Sequence, residues 1–157
     1  MHDYEGRDVQ VVTHASNVRS LLAKIGTESD DMTSKAPSTE AFPHVADYPA
    51  KSQFNARVDG RFINKIAQDG DMLHCVTPDA AGAEPKDGDL VVIEYRDGAA
   101  NRIMIRRMRQ IGDICEFRPE SDDPELQNAS MIWNMRDDGG KFRILGKVLF
   151  AYRRLDA

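Results

Sequence analysis

Residues 87–108 read DGDLVVIEYRDGAANRIMIRRM, and this stretch contains the pattern that decides the fold. Residues 90–95 form a short apolar run of the length expected for a buried strand. Residues 101–108 alternate polar and apolar side chains around Ile103 and Ile105, which is the period of a strand. Asp97 and Gly98 between the two runs are typical of a tight turn. The stretch therefore predicts two strands joined by a turn.

Similar short runs continue over most of the chain after residue 52. Phe54, Ala56 and Val58 alternate with polar residues, and Gly146 in the last run is expected to mark a bulge or bend. Pairs of Asp and Gly separate several of the runs. Many short strands without interleaved helices predict a mainly β domain, arranged as a barrel or a sandwich. The additional predicted strands are residues 54–58, 72–76, 113–117 and 142–152.

The first fifty residues have a different character. Residues 15–25 (ASNVRSLLAKI) place Val18, Leu21, Leu22 and Ile25 on one apolar stripe, which predicts a short helix. This helix either docks on its own domain or binds a partner. Residues 27–52 are rich in Ser, Thr, Asp, Ala and Pro, a composition typical of a linker. We therefore divide the chain into an N-terminal arm, residues 1–52, and a β-domain, residues 53–157.

Composition and charge limit the class of protein. The 157 residues are 41% hydrophobic, so the chain can bury a core, and no run approaches the roughly 20 apolar residues of a membrane span. The acidic start MHDYEGRDVQ is unlike a secretory signal, and two cysteines make no disulfide framework, so we expect a cytoplasmic protein. The net charge of −5 argues against a global electrostatic grip on nucleic acid. We expect no cofactor and no metal.

The phrase Asp-Gly-Asp occurs twice before an apolar run, at residues 69–71 and 87–89. Carboxylates in such loops can recruit a hard cation, but no full calcium-loop spacing is present. A tight turn needs the same residues, with Gly at positive φ and Asp accepting hydrogen bonds from local amides. We therefore expect two turns.

Six short phrases follow one another along the β-domain. They are Val58-Asp59-Gly60, Asp69-Gly70-Asp71-Met72-Leu73, Asp87-Gly88-Asp89-Leu90-Val91-Val92, Ile103-Met104-Ile105-Arg106-Arg107-Met108, Pro119-Glu120-Ser121 and Ile144-Leu145-Gly146-Lys147-Val148. In this order they resemble the C-terminal domain of the LexA, phage-repressor and UmuD family of self-cleaving serine peptidases. The resemblance covers roughly residues 53–155, about two thirds of the chain, and implies a LexA-type peptidase-like β-domain preceded by a short helical arm.

The chain departs from the family at both catalytic positions. Phe62 stands where the family has its serine nucleophile, and Arg106 stands where it has the lysine that accepts the serine proton. Phe has no nucleophilic atom, and an Arg guanidinium stays protonated at physiological pH. The Ala-Gly or Cys-Gly cleavage pair upstream of the core is also missing. The resemblance therefore implies a pseudo-peptidase without catalytic residues, with a vestigial cleft at Gly60, Arg61, Phe62 and Arg106.

Two interpretations of the altered cleft stay open. Phe62 and Arg106 face each other as a cation–π contact, or each has drifted independently. The cleft itself can still receive an extended peptide by strand addition. Residues 42–48 are the candidate segment for such self-docking, with Phe42, Val45 and Tyr48 as anchors.

Three further groups of residues invite a chemical interpretation. His74 and Cys75 are neighbours on a predicted strand and therefore point to opposite faces, so we expect Cys75 in the core and His74 at the surface. A metal site joining them to Cys115 matches no standard spacing. The cluster Arg102, Arg106, Arg107 and Arg109 is either an anion or nucleic-acid contact or a solvated strand face with acidic partners.

The resemblance also implies a function. Family domains of this type dimerise, so we expect a homodimer formed through the strand at residues 142–152, and a regulatory protein partner. Fifty residues with one credible helix are too few for a helix-turn-helix, so we do not expect this chain to bind DNA by itself. The expected role is protein–protein regulation of transcription or of the DNA-damage (SOS) response. The alternatives are a serine peptidase that uses other residues and a direct nucleic-acid binder.

Overall fold

The computed structural model describes residues 9–12, 45–136 and 139–153, and the regular structure there is almost entirely β. The described part of the chain is thus mainly β, as predicted. Two short 3-10 helices, η1 (Ala50–Ser52) and η2 (Pro124–Leu126), lie between strands. The strands are β1 (Val9–Val12), β2 (Gln53–Val58), β3 (Met72–Val76), β4 (Leu90–Asp97), β5 (Ala100–Ile111), β6 (Ile114–Arg118), β7 (Met131–Asn134) and β8 (Phe142–Tyr152).

The eight strands form one antiparallel sheet in the order β1-β2-β3-β8-β4-β5-β6-β7. Strand β8 comes last in the sequence but lies in the middle of the sheet. Its first half, residues 142–147, pairs with β4, and its second half, residues 147–152, pairs with β3. The final strand therefore joins the β1–β3 half of the sheet to the β4–β7 half.

The sequence predicted six of these strands and missed two. The runs at residues 72–76 and 142–152 correspond to β3 and β8 with the same bounds, and β2, β4, β5 and β6 differ by a few residues. The missed strands, β1 and β7, have four residues each, which is too short for an alternation pattern to be recognised. The helix predicted over residues 15–25 lies outside the described residues.

Two apolar clusters lie on opposite faces of the sheet. One contains Phe54, Leu73, Cys75 and Val92 with other residues of β2–β5 and β8. The other contains Val91, Ile93, Met104 and Phe117 and packs against residues of β7 and β8. Successive residues of β4 enter different clusters, which is why residues 90–95 form an unbroken apolar run.

The alternation in β2 predicts one exposed face, but the structure buries both faces. Phe54 lies in the core as expected, whereas the polar residues Gln53 and Asn55 are also buried, at 2% and 1% exposure. Their face is covered by side chains of β8, which are distant in sequence, and by the segment before η1. The polar side chains are hydrogen-bonded there, which makes their burial tolerable.

Strand β8 is irregular next to Gly146, as expected. The register with β4 shifts between the pairs Val92–Gly146 and Ile93–Ile144, so Leu145 is an extra residue on β8. A Cβ placed on Gly146 would lie 2.6 Å from the Phe54 ring and 2.9 Å from the Val76 carbonyl oxygen. Glycine is needed here because another side chain occupies the space of a Cβ.

The first Asp-Gly-Asp phrase forms a turn that ties β3 to the end of β2. Gly70, at φ 91°, donates its N–H to the Val58 carbonyl at 2.8 Å, and the Val58 N–H donates to the Asp71 carbonyl at 2.8 Å. The Asp71 carboxylate accepts the Gln68 N–H at 2.8 Å, and Asp69 accepts from the amide of Gly60 at 2.7 Å.

The second Asp-Gly-Asp phrase repeats the same bonds between β4 and β5. Gly88, at φ 94°, donates to the Met108 carbonyl at 2.7 Å, and Met108 donates back to the Asp89 carbonyl at 2.8 Å. The Asp89 carboxylate accepts from Lys86 N–H at 2.8 Å, and the Asp87 carboxylate accepts from Gln110 N–H at 2.8 Å. The turn interpretation of both phrases is confirmed.

Candidate functional site

The loop after β2 carries three of the four residues that the sequence assigns to a vestigial cleft. Gly60 has a φ of 95°, which favours glycine, and its N–H is held by the Asp69 carboxylate. Arg61 is exposed, and its Nη1 lies 3.5 Å from Asp123 Oδ2. Phe62 is the first buried residue of the loop. Gly60 and Arg61 therefore lie at the surface and Phe62 points inward.

The segment after β6 holds this loop in place. The Glu120 N–H donates to the Phe62 carbonyl at 2.8 Å, and the Lys65 N–H donates to the Glu120 carbonyl at 3.0 Å. The Asn64 side chain donates to the Asp122 carboxylate at 2.7 Å and accepts the Asp122 N–H at 3.0 Å. These four bonds join parts of the chain that are distant in sequence and fix the position of Phe62.

Phe62 and Arg106 face each other, so the first interpretation of the altered cleft is confirmed. Cζ of Arg106 lies 4.1 Å from the centroid of the Phe62 ring. The guanidinium also donates to the Ile105 carbonyl at 2.7 Å and to Met104 Sδ at 3.7 Å. Phe62 is 8% exposed and Arg106 is 3% exposed. A cation–π contact contributes about 0.5–2 kcal/mol, with the larger values for desolvated pairs such as this one.

The pair offers neither a nucleophile nor a proton acceptor at these two positions. The Phe62 ring carries no oxygen or sulfur, and the guanidinium of Arg106 stays protonated at physiological pH. Both residues are buried, so a bound peptide would reach the guanidinium only if the ring moved. The arrangement holds a buried positive charge beneath the loop.

The segment predicted to dock in this cleft docks at the other end of β2. Gln53 Oε1 accepts the Val45 N–H at 2.8 Å, and Gln53 Nε2 donates to the carbonyls of Val45 and Tyr48 at 2.7 and 2.8 Å. Gln53 begins β2 and Phe62 follows its end, and the six residues of β2 span about 17 Å. Val45 and Tyr48 are thus held on the sheet as a turn, so the predicted docking of an extended segment in the cleft is wrong for these two residues. Phe42 lies outside the described residues.

Gln53 is the residue of this region that the sequence analysis missed. Its side-chain amide forms hydrogen bonds with the backbone N–H and carbonyl groups of a turn. A neighbouring strand forms the same kind of hydrogen bonds with an extended segment. A glutamine at the start of a strand gives no sequence signal for this role. Its partners become apparent only once the chain has folded back on itself.

His74 is buried, which corrects the prediction that it lies at the surface. It is 1% exposed, and its ring nitrogens lie 3.0 Å from Asn55 Oδ1 and 2.7 Å from Gln53 Oε1. Its ring stacks on Phe150 with centroids 5.0 Å apart. Cys75 points to the opposite face and lies in the core, as predicted. The alternation correctly separated the two residues, but it could not show that the outer face of β3 is covered.

The two cysteines lie in different apolar clusters. Cys75 belongs to the cluster with Phe54, and Cys115 belongs to the cluster with Phe117. Burial raises the pKa of the Cys75 thiol well above its ordinary value. Burial, with a smaller effect from the charge of Asp87, raises the pKa of Cys115 to about 11. In the described parts of the chain, no three His, Cys, Asp or Glu side chains are grouped so that they could hold a metal ion.

The four arginines of β5 do not share one surface. Arg102 and Arg106 point to one face of the strand, and Arg107 and Arg109 point to the other, because the strand alternates. Arg107 pairs with Glu120 at 2.8 Å, and Arg109 lies 3.5 Å from an Asp87 oxygen. Arg107 and Arg109 therefore match the expectation of acidic partners, which was one of the two interpretations of this cluster.

A comparison with protein-family models and with curated proteins found no match to this chain. Among the described residues, no helix has the length and apolar character needed to cross a membrane.

Proposed function

We propose that this chain carries a catalytically silent domain of the LexA, phage-repressor and UmuD type. It acts by dimerisation and by protein–protein regulation of transcription or of the DNA-damage response. The observation that carries the proposal is the buried Phe62–Arg106 contact. It lies at the two positions where the resemblance places a serine nucleophile and its lysine base, and neither residue can perform that chemistry.

The edge of β8 supports the dimerisation part of the proposal. Beyond Lys147, β8 is paired with β3 alone, and no strand of the described residues pairs with the other side of residues 148–151. Phe150 and Ala151 are exposed on this stretch. An open strand edge can pair with the same edge of a second copy about a two-fold axis, which would satisfy both backbones.

Sedimentation velocity over a range of concentrations tests the dimer. We expect the wild-type protein to associate and Ala151→Lys to weaken association at least tenfold, because a charge on an open edge opposes strand pairing. Ile111→Lys is the matched control, since Ile111 is 81% exposed and lies at the tip of the β5–β6 hairpin. A wild-type protein that is monomeric at every concentration would contradict the proposal.

Intact-mass spectrometry tests the absence of peptidase activity. We expect the mass of the purified chain to stay unchanged during prolonged incubation at raised pH, where a neutral lysine base would be most active. A discrete internal cleavage that persists in the double variant Phe62→Ala and Arg106→Met would favour a peptidase that uses other residues.

A further inference from the structure

Residues 45–48 form a turn that is wrapped around one side-chain amide, and we call this turn the strap. The Tyr48 N–H lies 3.5 Å from the Val45 carbonyl, which closes the turn. Three further hydrogen bonds, all to Gln53, hold it on the sheet. The strap therefore depends on β2 for its position, although it precedes that strand in sequence.

The strap and the open part of β8 pack on the same three residues. Val76, Ala80 and Ala83 form a small buried cluster at the end of β3, and the side chains of Tyr48 and Leu149 both pack against it. Leu149 lies at a register shift, because Val148 pairs with Cys75 and Phe150 pairs with His74. A bulge bends the strand that contains it, so the packing of Leu149 sets the path of residues 148–151.

A second route connects the strap to the same stretch. Gln53 Oε1, which accepts the strap N–H of Val45, also lies 2.7 Å from His74 Nε2. The His74 ring stacks on Phe150, the next residue of β8 after the bulge. Both Leu149 and Phe150 are thus supported by groups that the strap contacts.

We propose that docking of the strap and dimerisation through residues 148–151 of β8 are coupled, so that release of the strap weakens the dimer. The inference rests on the proposed dimerisation and adds its regulation. The strap is part of the N-terminal arm, residues 1–52, so a partner that displaces residues 45–48 would act on the dimer edge. Such coupling is reciprocal: if docking strengthens the dimer, dimerisation strengthens docking by the same factor.

Two variants release the strap without altering the strands. Val45→Pro removes the N–H that Gln53 accepts, and Tyr48→Ser removes the ring from the Val76 cluster. Asp47→Ala is the matched control, because Asp47 is exposed in the same turn. Trypsin cleavage after the exposed Lys51 reports release of the strap, and sedimentation velocity reports the dimer dissociation constant.

We expect each strap variant to be cleaved faster after Lys51 and to dimerise about tenfold more weakly, with the control unchanged. We also expect the wild-type protein to be cleaved faster when diluted below its dissociation constant. Faster cleavage with an unchanged dissociation constant in both variants would overturn the coupling and leave the dimer intact. A wild-type protein that never dimerises would overturn the proposed function itself, and this inference with it.

Discussion

At the scale of single residues, Gly146 has the clearest steric requirement in the sheet. Gly146→Ala would place a Cβ 2.6 Å from the Phe54 ring, so the ring or β8 must move. Overpacking of this kind costs about 1–3 kcal/mol, and we expect the free energy of unfolding in urea to fall by that amount. Phe54→Leu in the same chain should make the change at residue 146 less costly. If Gly146→Ala lowers the free energy of unfolding by the same amount with and without Phe54→Leu, the Phe54 ring is not the obstacle.

The Phe62–Arg106 contact makes a second prediction at this scale. A double-mutant cycle with Phe62→Leu and Arg106→Met should give a coupling energy of about 0.5–2 kcal/mol in urea unfolding, because each change removes one half of the cation–π contact. A cycle with Ile111→Leu in place of Phe62→Leu serves as the control, since Ile111 lies on the exposed hairpin tip. A coupling energy near zero would contradict a stabilising role for the pair.

Two residue-level expectations, one at the cleft and one on β3, illustrate what a sequence can and cannot reveal. The Phe62–Arg106 contact was one of two interpretations that followed from the resemblance to the LexA-type domain, which aligns both residues with positions of one cleft. The burial of His74 was not predictable, because it depends on Phe150 and on Gln53, which binds the strap. Local alternation reports the side of a strand on which a residue lies, but not what covers that side.

At the scale of elements, a bidentate ion pair fastens the end of β8 to the first Asp-Gly-Asp turn. Arg153 donates from Nε to Asp71 Oδ1 at 2.7 Å and from Nη2 to Oδ2 at 3.2 Å. These hydrogen bonds have the largest effect on the pKa of Asp71 and hold it below its usual value. The hydrogen bond from the Gln68 N–H also lowers this pKa. A carboxyl with a depressed pKa stabilises the fold above its unfolded pKa and loses that effect as the pH falls through its folded pKa.

We therefore compare the melting temperatures of wild type and Arg153→Ala across pH. The difference should be constant from about pH 5 to pH 8. It should shrink below about pH 4, where the carboxyl becomes protonated in the unfolded chain, and should be lost once the pH falls below the lowered pKa of the folded state. Arg136→Ala, which removes a more exposed ion pair with Asp113, is expected to change the melting temperature little at neutral pH. A difference that grows towards low pH would contradict the assigned sign.

Strands with five or more residues were predictable from the sequence, whereas the shorter ones were not. The apolar run of β4 and the alternation of β5 are long enough to show a period, and the Asp-Gly pairs mark where neighbouring strands end. The four residues of β7, MIWN, are apolar at three positions and show no alternation. They form a strand because they pair with β6, and this pairing exists only in the folded structure.

At the scale of the whole molecule, thiol reactivity measures how well the folded sheet protects its two cysteines from solvent. Burial raises the pKa of both, to about 11 for Cys115, and thiolates are the reactive species. We expect neither thiol to react with a disulfide reagent at pH 8 in the native protein, and both to react in urea. Ile111→Cys supplies an exposed thiol as the positive control, because Ile111 is 81% exposed at the hairpin tip. Rapid reaction of one native thiol would show that its cluster opens.

The position of β8 has a consequence for biosynthesis. A ribosome makes this strand after the other seven, yet it lies between β3 and β4. Until it emerges, the nascent chain holds two unjoined sets of strands, each with an open edge facing the gap that β8 will fill. Every backbone bond across that gap is long-range in sequence, so its formation is delayed relative to the hairpins. We therefore expect a chain that lacks β8 to aggregate more readily than the chain with the full sheet.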